Sequence, residues 1–176
     1  MGAIMWRVAK SFFVHLFFML PVLLLVYLVV QGQDSLSDSV RATLKTARSL
    51  STRLADARGE LMTWCFAGFL ISWLASSLFL ASAERASPAN EREARSRLGL
   101  WSFLLITVIA LLAVNYWFSL LGARVNVSLA SNTFILAVLI GGFGILLSYY
   151  LATGLVVRRV MRPSVPLAAG LPTFWS

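Results

Sequence analysis

Four long stretches of the chain carry no Asp, Glu, Lys or Arg: 12–30, 61–83, 98–121 and 133–157. Each is close to the ~20 apolar residues that a helix rising ~1.5 Å per residue needs to cross ~30 Å of hydrocarbon. Polar and apolar residues do not alternate within them, which excludes β-barrel strands. The pattern predicts an all-α integral membrane protein with four transmembrane helices, a single membrane domain covering 1–176. Pro21 falls within the first stretch, where it removes a backbone hydrogen bond and predicts a kink. Arg7 and Lys10 ahead of an apolar run resemble the start of a signal peptide. The run exceeds the usual h-region of about 7–15 residues and is expected to stay as a span.

The segment 31–60 is polar, yet its apolar positions Leu36, Val40, Leu44, Ala47, Leu50, Leu54, Ala57 and Leu61 recur at steps of three and four. That spacing predicts an amphipathic helix over about 35–60, between spans one and two and able to run on into span two. Asp34, Ser35 and Ser37 offer N-caps. In the segment 84–97, Ser87 followed by Pro88 marks a helix start, with Glu91 and Glu93 in the first turns. Glu91–Arg95 and Glu93–Arg97 are i,i+4 pairs, so helix three is expected to begin about two turns before its apolar run. The tail 158–176 holds Pro163, Pro166 and Pro172 and cannot be a regular helix throughout.

Composition sharpens the picture. Hydrophobic residues make up 59% of the 176 and charged ones 12%, about half the charge of a soluble domain. The net charge is +8. Because the basic residues flank apolar spans, anionic lipid headgroups are the expected partner, not nucleic acid. Nine basic residues fall on the side of the two termini (Arg7, Lys10, Arg85, Arg92, Arg95, Arg97, Arg158, Arg159, Arg162) and six on the other (Arg41, Lys45, Arg48, Arg53, Arg58, Arg124). The positive-inside rule then places both termini in the cytoplasm of a bacterial inner-membrane protein, or in the matrix for a mitochondrial inner membrane. Trp6 and Trp101 are expected at one interface, and Tyr27, Trp64 and Trp117 at the other.

Candidate sites are packing faces. Gly68, Ser72 and Ser76 lie four apart in span two, as do Gly144, Ser148 and Ala152 in span four; small residues at this spacing let another helix approach closely. Gly141-Gly142 raises a second reading, a loosened or discontinuous span four. Arg41, Lys45 and Arg48 share a helix face and would meet lipid headgroups or an acidic partner. Pro166, Pro172, Phe174 and Trp175 of the tail would dock on a neighbouring subunit. His15, the lone histidine, and Asn115 are expected to hydrogen-bond other helices. The single cysteine, Cys65, excludes an intrachain disulfide.

The sequence contains no Gly-rich phosphate loop, no metal-ligand spacing and no acidic pair inside a span. Catalytic, cofactor-binding and metal-binding residues are therefore expected to be absent, and the chain is not expected to be an enzyme. The expected role is a non-catalytic structural or accessory subunit of a multi-protein membrane complex, such as a secretion or conjugation machine. The alternatives are a small oligomeric channel or transporter, lined by Ser72, Ser76, Asn115 and Ser148, and an immunity or exclusion protein.

Overall fold

The computed structural model describes residues 2–41, 47–85, 91–117, 131–168 and 171; at residue 3 and over 31–41, 47–58 and 131–134 it describes the backbone alone. Most described residues are helical, in the order α1 (Gly2–Arg41), α2 (Ala47–Arg85), α3 (Glu91–Ser96), α4 (Leu98–Tyr116) and α5 (Ser131–Val156), followed by a 3-10 helix (Arg159–Ser164). Four helical segments are long and apolar enough to cross a membrane: Ile4–Val30, Gly59–Arg85, Glu91–Tyr116 and Ile135–Val156.

Helix α1 packs on α2 and α5, and α2 also contacts α5 and α4, while α4 lies at the margin. Contacts fix the directions. Arg7 meets Glu84, Ser11 meets Ser76 and His15 meets Ser72, so α1 and α2 run antiparallel. Arg7 also reaches the Val156 carbonyl at the end of α5. The beginning of α1 and the end of α5 therefore share one end of an up-down-up-down bundle. Val26, Leu61, Cys65, Phe69, Val108, Ile145 and Tyr149 form its buried interior. Large apolar side chains such as Phe13, Phe17, Leu24, Phe103, Ile106 and Phe143 point outward. That inversion of the usual burial suits an apolar surrounding.

Several elements differ from the expectations. Of the 35–60 stretch, 35–41 closes α1 and 47–60 opens α2, two antiparallel helices, and 42–46 lie outside the described residues. Periodicity of 3.6 cannot register such a reversal, and no Gly or Pro marks it between 33 and 58. Helix α5 is unbroken through Gly141-Gly142, against the loosened or discontinuous reading, and α1 continues as helix on both sides of Pro21. Helix three does extend before its apolar run, but α3 is set off from α4 at Arg97. Arg95 pairs with Glu91 at 2.6 Å, and Arg97 donates to Ser82 Oγ at 3.0 Å. Ser87 and Pro88 lie outside the described residues, as does the 118–121 end of the third expected span.

Trp64 and Trp101 are buried, and each indole finds a partner inside the bundle: Trp64 Nε1 donates to the Leu112 carbonyl at 3.1 Å and Trp101 Nε1 to Thr153 Oγ1 at 2.9 Å. Trp6, Tyr27 and Trp117 are exposed.

The tail folds back on its own bundle. Met161, Val165 and Ala168 are buried, the 3-10 helix packs against α3, and Leu171 lies over Gly154 of α5. Val165–Ala168 closes as a turn, Ala168 N–H donating to the Val165 carbonyl at 3.2 Å. Pro166 supplies the fixed φ of the turn's second position and Leu167 takes φ 58° at the third, a place better suited to Gly.

Candidate functional site: a buried polar ladder

Arg7, Ser11 and His15 recur every four residues on α1 and so lie on one stripe of that helix. Ser72, Ser76 and Glu84 face them from α2. At the outer rung Arg7 Nε lies 2.6 Å from Glu84 Oε2, and Arg7 Nη1 donates to the Val156 carbonyl at 2.5 Å. One turn inward, Ser11 Oγ and Ser76 Oγ are 2.8 Å apart. Ser76 Oγ donates to the Trp73 carbonyl at 2.9 Å, so the proton between the two serines comes from Ser11.

The innermost rung is His15. Its Nδ1 lies 2.8 Å from the Ser11 carbonyl and its Nε2 3.0 Å from Ser72 Oγ. A carbonyl only accepts, so Nδ1 carries a proton, and in the neutral ring Nε2 accepts from Ser72. Ser148 Oγ, 3.5 Å from Ser72 Oγ, donates to the Ile145 carbonyl at 2.7 Å. The Ile145 carbonyl also lies within 3.2 Å of Ser72 Oγ, an alternative acceptor for its proton. From Arg7 to His15 the ladder descends ~12 Å along α1. Beyond it the contacts turn apolar: Val22 and Val26 of α1 against Gly144 and Gly141 of α5, with Cys65 and Trp64 of α2 alongside.

A histidine bonded to a serine has the geometry of an activated nucleophile. Here Ser72 and His15 are 0% and 3% exposed, and the Nδ1 partner is a carbonyl rather than a carboxylate. The arrangement ties three helices together and offers a reactant no approach. Among the described residues no three His, Cys, Asp or Glu side chains gather as a metal site would need.

The small-residue faces are occupied within the chain. Ser72, Ser76, Ser148 and Ala152 are fully buried. Gly68 faces Ile145 and Leu112, and Gly144 faces Val22. The two stripes therefore meet partly each other, through Ser72 and Ser148, and partly other helices. Pro166 is exposed in the tail turn; Pro172, Phe174, Trp175 and Lys45 lie outside the described residues, and Arg41 and Arg48 are described by backbone alone. Ser11, Arg7 and Glu84 are not legible as interhelical contacts from the sequence, although the four-residue step Arg7–Ser11–His15 is there to be found.

Comparison with known proteins finds no match: no family model, no curated protein and no solved structure corresponds to the chain.

Removing the His15 side chain with His15→Leu is expected to destabilise the bundle by ~1 kcal/mol. Interhelical hydrogen bonds of this kind average ~0.6 and reach ~1.7 kcal/mol in membranes. Combined with Ser72→Ala, the loss should fall short of the sum of the two single losses. Equilibrium unfolding in mixed micelles reads this out, and strictly additive losses would show that the two side chains are uncoupled.

Proposed function

We propose that the chain is an integral membrane protein, a non-catalytic structural or accessory subunit of a larger membrane complex. The observation that carries this is the length of α1 and α2. They span 40 and 39 residues, ~60 Å each, about twice the hydrocarbon thickness. Past the apolar windows that end at Val30 and begin at Gly59, α1 continues for ~16 Å and α2 precedes for ~18 Å as helix. These extensions carry the apolar positions Leu36, Val40, Leu50, Leu54 and Ala57 together with Arg41 and Arg48. A helical segment with an apolar stripe and basic residues fits a partner's groove or acidic surface. The small-residue stripes are engaged inside the bundle, which leaves the extensions and the tail for contacts with other subunits. The basic balance supports a bacterial inner-membrane orientation with the termini in the cytoplasm and the α1/α2 extensions on the far side.

The test is purification of the tagged chain in mild detergent after crosslinking in cells. The wild-type chain is expected in a defined assembly with other membrane subunits. Replacing 33–57 by a short Gly/Ser linker should release it while helical content over the four spans persists. A chain that runs alone as a monomer, crosslinked or not, overturns the subunit proposal; extraction by alkaline carbonate overturns the membrane assignment itself.

A further inference from the structure

A groove of about 520 Å³ opens between the first half of α1 and the last turns of α5, walled by Trp6, Lys10, Phe13 and Phe17 on one side and Leu151 and Leu155 on the other. We propose that this groove holds one acyl chain of an anionic glycerophospholipid, with Lys10 at its mouth binding the phosphate. The inference rests on the membrane assignment above.

Three observations converge on that occupant. The first is shape. Trp6, Lys10, Phe13 and Phe17 follow steps of four, three and four along one face of α1, which makes the groove ~16 Å long. Half of a ~30 Å hydrocarbon core is ~15 Å, the depth of one leaflet. A chain entering from the headgroup level therefore fills the groove and ends near the midplane. The second is surface. Apart from Lys10 the wall is apolar, and Phe13 and Phe17 are 64% and 72% exposed. An unfilled furrow of that kind forfeits dispersion contacts on both walls, which a flexible hydrocarbon tail restores.

The third is charge. Lys10 Nζ sits 5.2 Å from the centroid of the Trp6 ring, so the cation is held at the same end as an interfacial indole. Arg7, one turn away, is neutralised by Glu84, whereas Arg158 and Arg159 follow directly after α5 at this end of the bundle. Basic residues gather at this end of the bundle, and the cytoplasmic leaflet, where this end is assigned, is the one rich in anionic lipid.

The full chain is reconstituted into vesicles of equimolar phosphatidylglycerol and phosphatidylcholine, floated on a density gradient, extracted in mild detergent and weighed intact by native mass spectrometry. The wild-type chain is expected to float and to retain one phosphatidylglycerol, with about fivefold preference over phosphatidylcholine. Lys10→Gln should abolish the preference without changing helical content. Val14→Trp, which fills the groove from its floor, should lose both lipids. Equal retention of the two lipids by the wild-type chain overturns the proposal, as does an undiminished preference in Lys10→Gln or a lipid-free dimer seated on this face. A chain that fails to float overturns the membrane assignment, a result distinct from floating without lipid preference.

Discussion

Gly144→Ala is expected to destabilise the bundle by roughly 3 kcal/mol, against about 1 kcal/mol for Gly68→Ala, both being overpacking changes. A Cβ built on Gly144 falls 2.5 Å from Val22 Cγ2, 3.0 Å from Cγ1 and 3.3 Å from Cβ. Valine in a helix keeps essentially one χ1 rotamer, so no side-chain rotation clears the space. The α1 and α5 backbones must separate, and with them the Val26–Gly141 contact and the His15 rung above. At Gly68 the new methyl meets Ile145 Cδ1 at 2.5 Å and Leu112 Cδ2 at 2.7 Å. Both are the far ends of flexible side chains that can turn away. The control is Gly99 of α4, where nothing lies within 4 Å; alanine there should stabilise by up to ~1 kcal/mol through helix propensity. Equilibrium unfolding of the three variants in mixed micelles gives the ranking. Losses at Gly144 no greater than at Gly68 would mean that α1 does not approach α5 as closely as the structure has it.

Why some of this was legible in the sequence and some was not follows from which information is local. A run without formal charge is a property of neighbouring residues, so the four long apolar helices can be read directly from it. The stripes Gly68–Ser72–Ser76 and Gly144–Ser148–Ala152 are equally local, and their closeness to other helices can be expected. Which helix each one meets cannot. Gly144 lies against Val22 and Gly68 against Leu112 as well as Ile145, pairings set by helix order and crossing rather than by either stripe. The rungs of the ladder join residues 57 to 77 positions apart, and a lone histidine gives no hint of its serine. The tail is a different case. Three prolines predict an irregular segment, and Met161, Val165 and Ala168 are buried against this chain's own α3 and α5, while Pro172, Phe174 and Trp175, expected to dock on another subunit, lie outside the described residues. The prolines prevent a helix; they do not say where the chain goes next.

The outer rung sets up a second large effect. Arg7→Met is expected to destabilise the bundle by ~2–3 kcal/mol, and Glu84→Gln by somewhat less. Removing one partner of a fully buried ion pair costs ~3–5 kcal/mol, mostly because the other charge is left uncompensated. Here the two side chains are 22% and 15% exposed, so water relieves part of that penalty. The asymmetry comes from α5. Arg7 also donates to the Val156 carbonyl, the last of that helix, where a cation complements the helix dipole. Without Glu84 the guanidinium keeps that carbonyl; without Arg7 the carboxylate and the carbonyl both lose their donor. The double change Arg7→Met with Glu84→Met removes both charges and should lose less than Arg7→Met alone, since no buried charge is left behind. Arg7→Met, Glu84→Met and their combination form a double-mutant cycle, read by unfolding at low and high salt. A partly shielded pair of this kind should change little with salt. If the double variant instead loses the sum of the single losses, the two residues act independently, and Arg7 holds α1 to α5 without reference to α2.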